Sequence, residues 1–169
     1  MKSVVVLAMH GSPPRDFPRE EMLEYFQLQA REHQHPPAGG HSSRFKELEA
    51  RIRSFPRNET NDPFWKGSRE LAAALEQACE LPVIAGFNEF CAPSLDEAFD
   101  QAAAKGAQKI IILTPMTTRG GEHAESDIPA AIDRARRRHP ALTFIYAWPF
   151  DTGDVAGFLA KKIKELAGK

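Results

Sequence analysis

Several features that mark whole classes of proteins are scarce in this sequence. Its 169 residues include two cysteines, Cys79 and Cys91, which lack the Cys-X-X-Cys spacing of redox and zinc motifs. A disulfide framework and a cysteine-ligated metal are therefore not indicated. No apolar run approaches the roughly 18–20 residues that a membrane-spanning helix needs, so an integral membrane protein is not indicated either.

An excess of charge of one sign is also missing. The 22 basic and 23 acidic residues give a formal net charge of -1, so no overall field favours nucleic acid or an anionic membrane as a partner. The basic run at 134–138 falls in a predicted helix, where a solvated face is the favoured interpretation. The first nine residues are apolar but too short for a signal peptide, and no small-residue cleavage site follows them. We therefore expect a cytoplasmic protein.

Four short aliphatic runs predict the strands of one sheet. They lie at 4–9, 82–87, 109–114 and 142–147, and each is nearly continuously apolar rather than alternating. Continuous apolar strands are typical of a parallel sheet that is covered on both faces. Because segments with helical spacing separate these runs, we predict an α/β fold with one open, four-stranded parallel sheet flanked by helices.

The first of these helices is predicted at 65–80, and its start is marked by a candidate N-cap and first-turn proline, Asp62 and Pro63. The next begins with a capping box formed by Ser94 and Glu97. The residues expected on the packed face of the helix at 65–80 are Leu71, Leu75 and Ala78.

Two further helices are predicted toward the end of the chain. One lies at 131–139, after Pro129. The other carries apolar residues at helical spacings of three and four. These residues are Val155, Phe158, Leu159, Ile163 and Leu166.

The stretch between the first strand and the helix at 65–80 is too long for a minimal crossover. Its apolar spacing predicts two amphipathic helices, as a helical insertion at about 17–61 of a single domain covering 1–169. The apolar residues are Met22, Tyr25 and Phe26, then Phe45, Leu48, Ile52 and Phe55. Between them, His33, His35 and His41 could collect metal ions, but a solvent-exposed Pro- and Gly-rich loop without fixed geometry is the favoured interpretation.

Three ionisable residues lie after predicted strands, near the point where each strand ends. His10 follows the first strand, Glu89 the second, and His123 lies in the long turn after the third. Ligands of open parallel sheets bind outside the carboxyl ends of the strands, so these side chains are expected to meet. Two imidazoles and one carboxylate can bind a divalent cation or move protons near neutral pH. The sequence therefore predicts a metal or proton-transfer site.

Each of these residues has a simpler interpretation when it is taken alone. A histidine after a strand is more often a capping residue than a ligand, and Glu89 could pair with Arg119. The coincidence of all three on one edge, beside glycines that allow a close backbone approach, favours a functional site. Arg119 and backbone amides near Gly120 and Gly121 could receive ligand carboxylates. Cys91 has no paired base that would mark it as a nucleophile.

Three segments resemble, in order and spacing, the motifs of one known family. They are Leu-Ala-Met-His-Gly-Ser at 7–12, Gly-Phe-Asn-Glu at 86–89 followed by Ala-Pro-Ser-Leu at 92–95, and Gly-Glu-His-Ala-Glu-Ser-Asp-Ile-Pro at 121–129. The sequence resembles class II tetrapyrrole metal chelatases, of the short sirohydrochlorin cobaltochelatase and ferrochelatase type.

That resemblance implies an enzyme that inserts cobalt, nickel or ferrous iron into sirohydrochlorin or a related tetrapyrrole, without ATP or another nucleotide. It implies that His10 and His123 hold the metal or accept pyrrole protons, and we add Glu89 as a third member of the site. Cobalt is the favoured metal. It also implies a homodimer, as in the short members of the family.

A tetrapyrrole with many carboxylates would need anchors near this site. We predict that Ser12, Arg119, Gly120 and Gly121 bind those carboxylates. The flat face of the macrocycle would rest on Met116, Phe87 or Phe90.

Two departures from the family and two other functions stay open. Members commonly have arginine directly after His-Gly-Ser, whereas Pro13 and Pro14 follow here. The helical insertion is also larger than the usual connection in the family. Histidine phosphatases also place a histidine and a glycine after the first strand, although they usually have arginine just before it, where this chain has Met9. A non-enzymatic tetrapyrrole or metal carrier would bind the same ligands without accelerating metallation.

Overall fold

Strands and helices alternate along the chain in the computed structural model, which describes residues 1–35, 37 and 39–168. The elements are, in order, β1 (Ser3–Met9), α1 (Arg19–Gln34), α2 (Ser43–Ser54), α3 (Pro63–Cys79), β2 (Val83–Phe87), α4 (Leu95–Ala104), β3 (Lys109–Leu113), α5 (Ile128–Arg138), β4 (Thr143–Tyr146) and α6 (Thr152–Ala167). A π turn at His123–Asp127 leads directly into α5.

The strands form one parallel sheet in the order β2-β1-β3-β4. This confirms the predicted α/β fold, and each strand boundary lies within one residue of its predicted position. Because β1 is central and pairs with both β2 and β3, the loops that follow these strands meet at one edge of the sheet.

An apolar core covers each face of the sheet, and β1 contributes to both because its side chains alternate. On one face, Val4, Val6 and Ala8 pack with α4 and α5. On the other face, Leu7 and Met9 pack with the helices α1, α2 and α3. Burial on both faces explains why the strands are continuously apolar in sequence. The two predicted helices between β1 and α3 are therefore part of the second core.

Two helix starts have the predicted caps. The Ser94 side chain accepts a hydrogen bond from the Glu97 N–H, and the Glu97 carboxylate accepts one from the Ser94 N–H at 2.6 Å. Asp62 accepts the N–H of Trp65 at 2.8 Å, with Pro63 in the first turn of α3. These bonds satisfy backbone donors that a helix cannot satisfy internally.

The packed face of α3 differs from the predicted one. Leu71 is 44% exposed and Ala78 is exposed, whereas Ser68 and Ala72 are buried. Adjacent helical residues point about 100° apart, so the true face is offset by one position from the predicted stripe. The apolar pattern missed it because the buried residues are small and one is polar.

The start of α5 also differs from the prediction. The helix begins at Ile128, and the preceding π turn already includes His123, so this histidine does not lie in an extended loop. Pro129 does not mark a boundary because its missing N–H has no intrahelical acceptor in a first turn.

The helix α6 has the predicted apolar spacing, yet none of its side chains is buried. Phe158 is 75% exposed, and Leu159, Ile163 and Leu166 are each more than half exposed. Among the described residues, no helix combines the length and apolarity needed to cross a membrane.

Candidate metal site

The three predicted ligands meet at the carboxyl edge of the sheet. His10, Glu89 and His123 each offer one ligand atom, and these atoms all lie within 4.8 Å of one another. The His123 Nε2 is 3.8 Å from Glu89 Oε1, and the ring centroids of the two histidines are 4.4 Å apart. Small side-chain movements would place all three atoms roughly 2.0–2.2 Å from one ion, which is the usual distance of nitrogen and oxygen ligands from a transition metal. The arrangement can therefore hold one divalent cation and leave coordination positions open.

Backbone hydrogen bonds fix the loop after β1 against the loop after β2. The Glu89 N–H donates to the His10 carbonyl, and the Asn88 N–H donates to the Met9 carbonyl, both at 2.9 Å. Gly11 has a φ of +110°, and a Cβ at this position would lie 1.9 Å from the Glu89 carbonyl oxygen. Only glycine fits this approach. The main chain therefore sets the spacing between two of the three ligands.

The carboxylate of Asp127 orients His123 from one helical turn away. The His123 Nδ1 is 2.6 Å from Asp127 Oδ2, and Asn88 Nδ2 is 3.0 Å from the same oxygen. Asn88 Nδ2 is also 2.6 Å from His123 Nδ1, but the Asp127 carboxylate can only accept a hydrogen bond. We assign the proton to Nδ1, which leaves the Nε2 lone pair free on the side of Glu89. Carboxylate–histidine pairs of this kind orient metal ligands.

A tyrosine of β4 supports the turn that carries His123. The Tyr146 hydroxyl donates to the Ala124 carbonyl at 2.9 Å. Burial raises the pKa of Tyr146 to about 12, so the hydroxyl keeps its proton and stays a donor at neutral pH. The third ligand is thus held by both a side-chain carboxylate and a strand on the far side of β3.

Asn88 and Asp127 were not predicted as site residues. Asp127 could have been found, because a carboxylate four residues after a histidine lies on the same side of a helical turn. Asn88 carried no comparable signal, since its role depends on β2 pairing with β1.

The four predicted anchors for ligand carboxylates differ in how far their polar groups are already hydrogen-bonded. The Gly120 N–H already donates to Glu125 at 2.7 Å, and the Gly121 carbonyl accepts from the N–H of that glutamate. The Ser12 carbonyl accepts from a guanidinium at 2.9 Å. Arg119 is exposed and forms no ion pair with any residue that the structure describes, including Glu89. Arg119 is therefore the anchor of the four with a charge free for a ligand.

Arg57 was not predicted as a site residue. It connects the segment before α3 to the loops after β1 and β2, which carry His10 and Glu89 and are called the ligand loops below. Its guanidinium donates to the carbonyls of Ser12 and Phe90, at 2.9 and 2.5 Å. It also forms a buried salt bridge with Asp62, and the two side chains are 4% and 0% exposed. An isolated arginine in a loop gives no sequence signal for such a role.

The buried Cys91 thiol lies next to this network and is not suited to nucleophilic chemistry. Burial raises the pKa of Cys91 to about 11, so it is a neutral thiol at physiological pH. Its sulfur is 3.5 Å from the Ser12 carbonyl oxygen.

A cleft of about 830 Å³ opens beside the ligands and has two walls. One wall includes Glu89, His123 and Asp127, and the other is formed by α1 and the N-terminal side of α2. The volume lies in the range of roughly 300–1,000 Å³ that is usual for small-molecule sites. The aromatic and histidine residues on the second wall are Tyr25, Phe26, His33, His41 and Phe45.

The aromatic surface of the cleft differs from the predicted one. Phe87 and Phe90 are 1% and 7% exposed, so the prediction that a flat ligand rests on them is wrong. Phe90 instead packs against Tyr25 at 5.9 Å between ring centroids, which joins α1 to the loop of Glu89. Phe26 is 42% exposed and lines the cleft, so it offers the accessible aromatic face.

Comparison with known proteins identifies the family. The CbiX family model matches residues 61–166, which include Glu89, His123 and Asp127 but neither His10 nor the helices α1 and α2. The chain belongs to the CbiX family. The sequence resemblance stated above is thereby confirmed.

Two curated relatives carry the same name. The sirohydrochlorin cobaltochelatase of Priestia megaterium is 32% identical over 83 residues, which are 49% of this chain and 27% of that protein. The sirohydrochlorin cobaltochelatase of Methanothermobacter thermautotrophicus is 39% identical over 59 residues, which are 35% of this chain and 41% of that protein. The chain therefore spans less than half the length of either relative.

A solved structure shares the fold over both full lengths. It is a CbiX protein ascribed to cobalamin (vitamin B12) biosynthesis from Marinobacter aquaeolei VT8. It has 18% sequence identity to this chain and a TM-score of 0.53, and the match covers 99% of each chain.

Proposed function

We propose that this chain is a sirohydrochlorin metal chelatase, which inserts a divalent metal into the macrocycle without a nucleotide. The observation that carries the proposal is the convergence of His10, Glu89 and His123, beside a cleft of about 830 Å³. Membership of the CbiX family and the two relatives named sirohydrochlorin cobaltochelatase support the substrate. They also favour this activity over the phosphatase and carrier alternatives.

The ligand set suits a metal that has to be given away. Two imidazoles and one carboxylate bind cobalt, nickel and ferrous iron, but they leave the ion partly hydrated and less tightly held than a closed four-ligand site does. His10 is exposed, so an incoming macrocycle can reach it. We propose that His10 and His123 hold the ion and release it as the pyrrole nitrogens replace them.

Metallation releases two protons, because two pyrrole N–H groups must lose them before the ring nitrogens bind the ion. The bases available are the atoms that the metal leaves, namely His10 and His123 imidazole nitrogens and the Glu89 carboxylate. Asp127 stabilises His123 as it gains a proton, because Nδ1–H already donates to this carboxylate at 2.6 Å. The same residues therefore serve first as ligands and then as proton acceptors.

The cleft offers a place for the macrocycle. The flat face of the macrocycle can lie against Phe26, whose ring is the exposed aromatic surface of the α1 wall. We propose that its carboxylates point outward and bind Arg119, which forms no ion pair with any described residue, and the Gly120 N–H, which would exchange Glu125 for a ligand carboxylate. Cobalt is the metal we favour, and the cytoplasm is the predicted location.

The activity is tested by following the absorbance change of sirohydrochlorin with Co²⁺, Ni²⁺ or Fe²⁺ in separate assays. We expect acceleration over the spontaneous reaction, fastest with cobalt, and a loss of at least about 100-fold in His10→Ala and in His123→Ala, since removal of a ligand or base typically costs about 10²–10⁴-fold. His139→Ala is the matched control, because His139 also pairs with a carboxylate but lies outside the cleft. Tight macrocycle binding without acceleration would contradict the proposal and indicate a carrier.

We also propose that two copies of the chain pair through α6. This helix exposes a stripe formed by Phe158, Leu159, Ile163 and Leu166. Contiguous apolar stripes of this kind are rare on isolated soluble domains and are typical of interfaces. A two-fold axis would let the stripe cover itself with an identical surface.

Sedimentation velocity across a range of concentrations tests the pairing. We expect a dimer for the wild-type chain and a monomer for Phe158→Glu, because burying an unpaired charge within the stripe is strongly unfavourable. Lys161→Glu, on the same helix but outside the stripe, is the control and should stay dimeric. A wild-type chain that is monomeric at all concentrations would contradict the pairing.

A further inference from the structure

The wall of the cleft opposite His123 contains a second carboxylate–histidine pair. Glu32, near the end of α1, has a side chain that is only 2% exposed, and its Oε2 is 2.8 Å from His41 Nδ1. The same carboxylate accepts hydrogen bonds from the Ser42 N–H at 3.2 Å and from the Ser42 hydroxyl at 2.5 Å. The Ser42 hydrogen bond also lowers the pKa of Glu32, which keeps the carboxylate ionised at neutral pH. An ionised, buried acceptor therefore holds the His41 ring.

The orientation of His41 follows from this contact. An ionised carboxylate can only accept, so the neutral imidazole carries its proton on Nδ1 and has a lone pair on Nε2. The ring stacks on Phe45 with 4.3 Å between centroids, which restricts its rotation further. His41 lines the same cleft as His123, and its side chain is 55% exposed. The His41–Glu32 pair therefore resembles the His123–Asp127 pair, because in both a carboxylate accepts from Nδ1 and leaves Nε2 free to bind an ion.

The charges of the cleft favour a cation over an anion. Its lining includes four carboxylates, and its one arginine, Arg134, already pairs with Asp96 outside the lining. Glu49 pairs with Arg53, and the other three carboxylates, Glu89, Glu122 and Asp127, face this wall from across the cleft. Clefts lined by one sign of charge concentrate ions of the opposite sign.

We propose that His41 and His33 bind a divalent cation on this wall, as a second metal site in the cleft that Glu89 and His123 also line. His33 lies in the last turn of α1 and lines the same wall. Two imidazoles with water in the remaining positions make a weak site, suited to taking up an ion and passing it on. The proposal does not depend on the chelatase activity, because metal binding is measured without a tetrapyrrole.

This inference revises an expectation from the sequence. His33, His35 and His41 were expected in a solvent loop without fixed geometry, part of which lies outside the described residues. His33 belongs to α1 instead, and His41 is fixed by Glu32. The physical reason is that Glu32 joins the end of α1 to Ser42, the N-cap of α2.

The test is calorimetric titration of Co²⁺ into the metal-free protein. The double variant His10→Ala/His123→Ala removes the main site and should still bind one ion. Adding His41→Gln or His33→Gln should abolish that binding, and adding Glu32→Gln should weaken it at least about tenfold, the usual effect of losing a carboxylate that orients a ligand. In NMR spectra of the double variant, Co²⁺ should broaden the His41 and His33 ring signals before those of other histidines.

Two control histidines separate this site from general surface binding. His139 pairs with Asp100 at 2.7 Å and lies outside the cleft. His35 follows α1 and does not line the cleft either. His139→Gln or His35→Gln, each added to the double variant, should leave cobalt binding unchanged. Circular dichroism establishes that each variant is folded. The proposal is overturned if the double variant binds no cobalt, or if its binding survives His41→Gln or His33→Gln.

Discussion

The ligand loops at the carboxyl edge of the sheet and the helix α6 differ sharply in how they are held. The loops are fixed by backbone hydrogen bonds between His10 and Glu89, by a glycine with no room for a side chain, and by the buried Arg57. By contrast, α6 buries none of its side chains although it has a full apolar stripe. The strongest restraints therefore surround the candidate chemistry, and the strongest apolar surface is left free.

This difference fits the two uses that we propose for these regions. A metal site needs ligand atoms held in place, so the main chain itself sets the distance between the loops. A surface for a second copy needs accessible apolar area and little else. Substitutions in the two regions should therefore differ greatly in their effect on the isolated domain, and the following changes test that expectation.

The largest effect is expected for Gly11→Ala. The added Cβ would lie 1.9 Å from the Glu89 carbonyl oxygen, and alanine would be strained at a φ of +110°. Overpacking and backbone strain each cost about 1–3 kcal/mol, so we expect a loss of about 4 kcal/mol in the free energy of unfolding, measured with urea. Gly157→Ala in α6 is the control, since nothing lies within 4 Å of a Cβ there. Equal stability of the two variants would show that the loops are not rigid.

A smaller but still large effect is expected for Arg57→Met. It leaves the buried Asp62 carboxylate without its partner and frees the Ser12 and Phe90 carbonyls. Breaking one half of a buried pair costs about 3 kcal/mol or more, measured by denaturant unfolding. Cobalt binding should weaken as well, because both ligand loops lose a common restraint. Arg69→Met is the control, since Arg69 lies over the Trp65 ring instead of donating to the carbonyls of Ser12 and Phe90. A stable variant with unchanged cobalt affinity would contradict this role.

Much of the fold and of the candidate site could be predicted from the sequence, because both depend on local patterns. Continuous apolar runs indicated the four strands, and the order of strand and helix indicated a parallel sheet. His10, Glu89 and His123 could be brought together since each follows a strand that ends at the same edge. The helix caps at Asp62 and Ser94 were visible as well, because capping is decided within four residues.

Contacts between distant segments could not be predicted in the same way. Arg57 reaches Ser12 and Phe90 across separations of 45 and 33 residues, and no periodic pattern links these positions. The packed face of α3 was missed because small residues give a weak apolar signal. The exposure of α6 was also not visible, because helical spacing indicates that a face will be covered but not by which molecule.

An intermediate effect, on activity rather than on folding, is expected for Asp127→Asn. The amide keeps the size of the side chain but removes the charge that accepts the His123 Nδ1–H. Metal affinity or metallation rate should fall by about 10–100-fold, with the free energy of unfolding nearly unchanged. Combined with His123→Ala, it should have no further effect, because the two residues act as a unit. Additive losses in the double variant would mean that Asp127 acts independently of His123.

The smallest effect on the isolated domain is expected for Phe158→Ser in α6. Phe158 is 75% exposed, so its removal should change the free energy of unfolding by less than about 0.5 kcal/mol in dilute protein. Phe99→Ser is the contrast, since Phe99 is fully buried and loss of such a ring costs about 3–5 kcal/mol. At high protein concentration, the wild-type chain should gain stability by pairing while Phe158→Ser should not, because association stabilises the folded state by mass action. A large loss in dilute protein would mean that α6 packs on its own domain, and the contrast between the two regions would then fail.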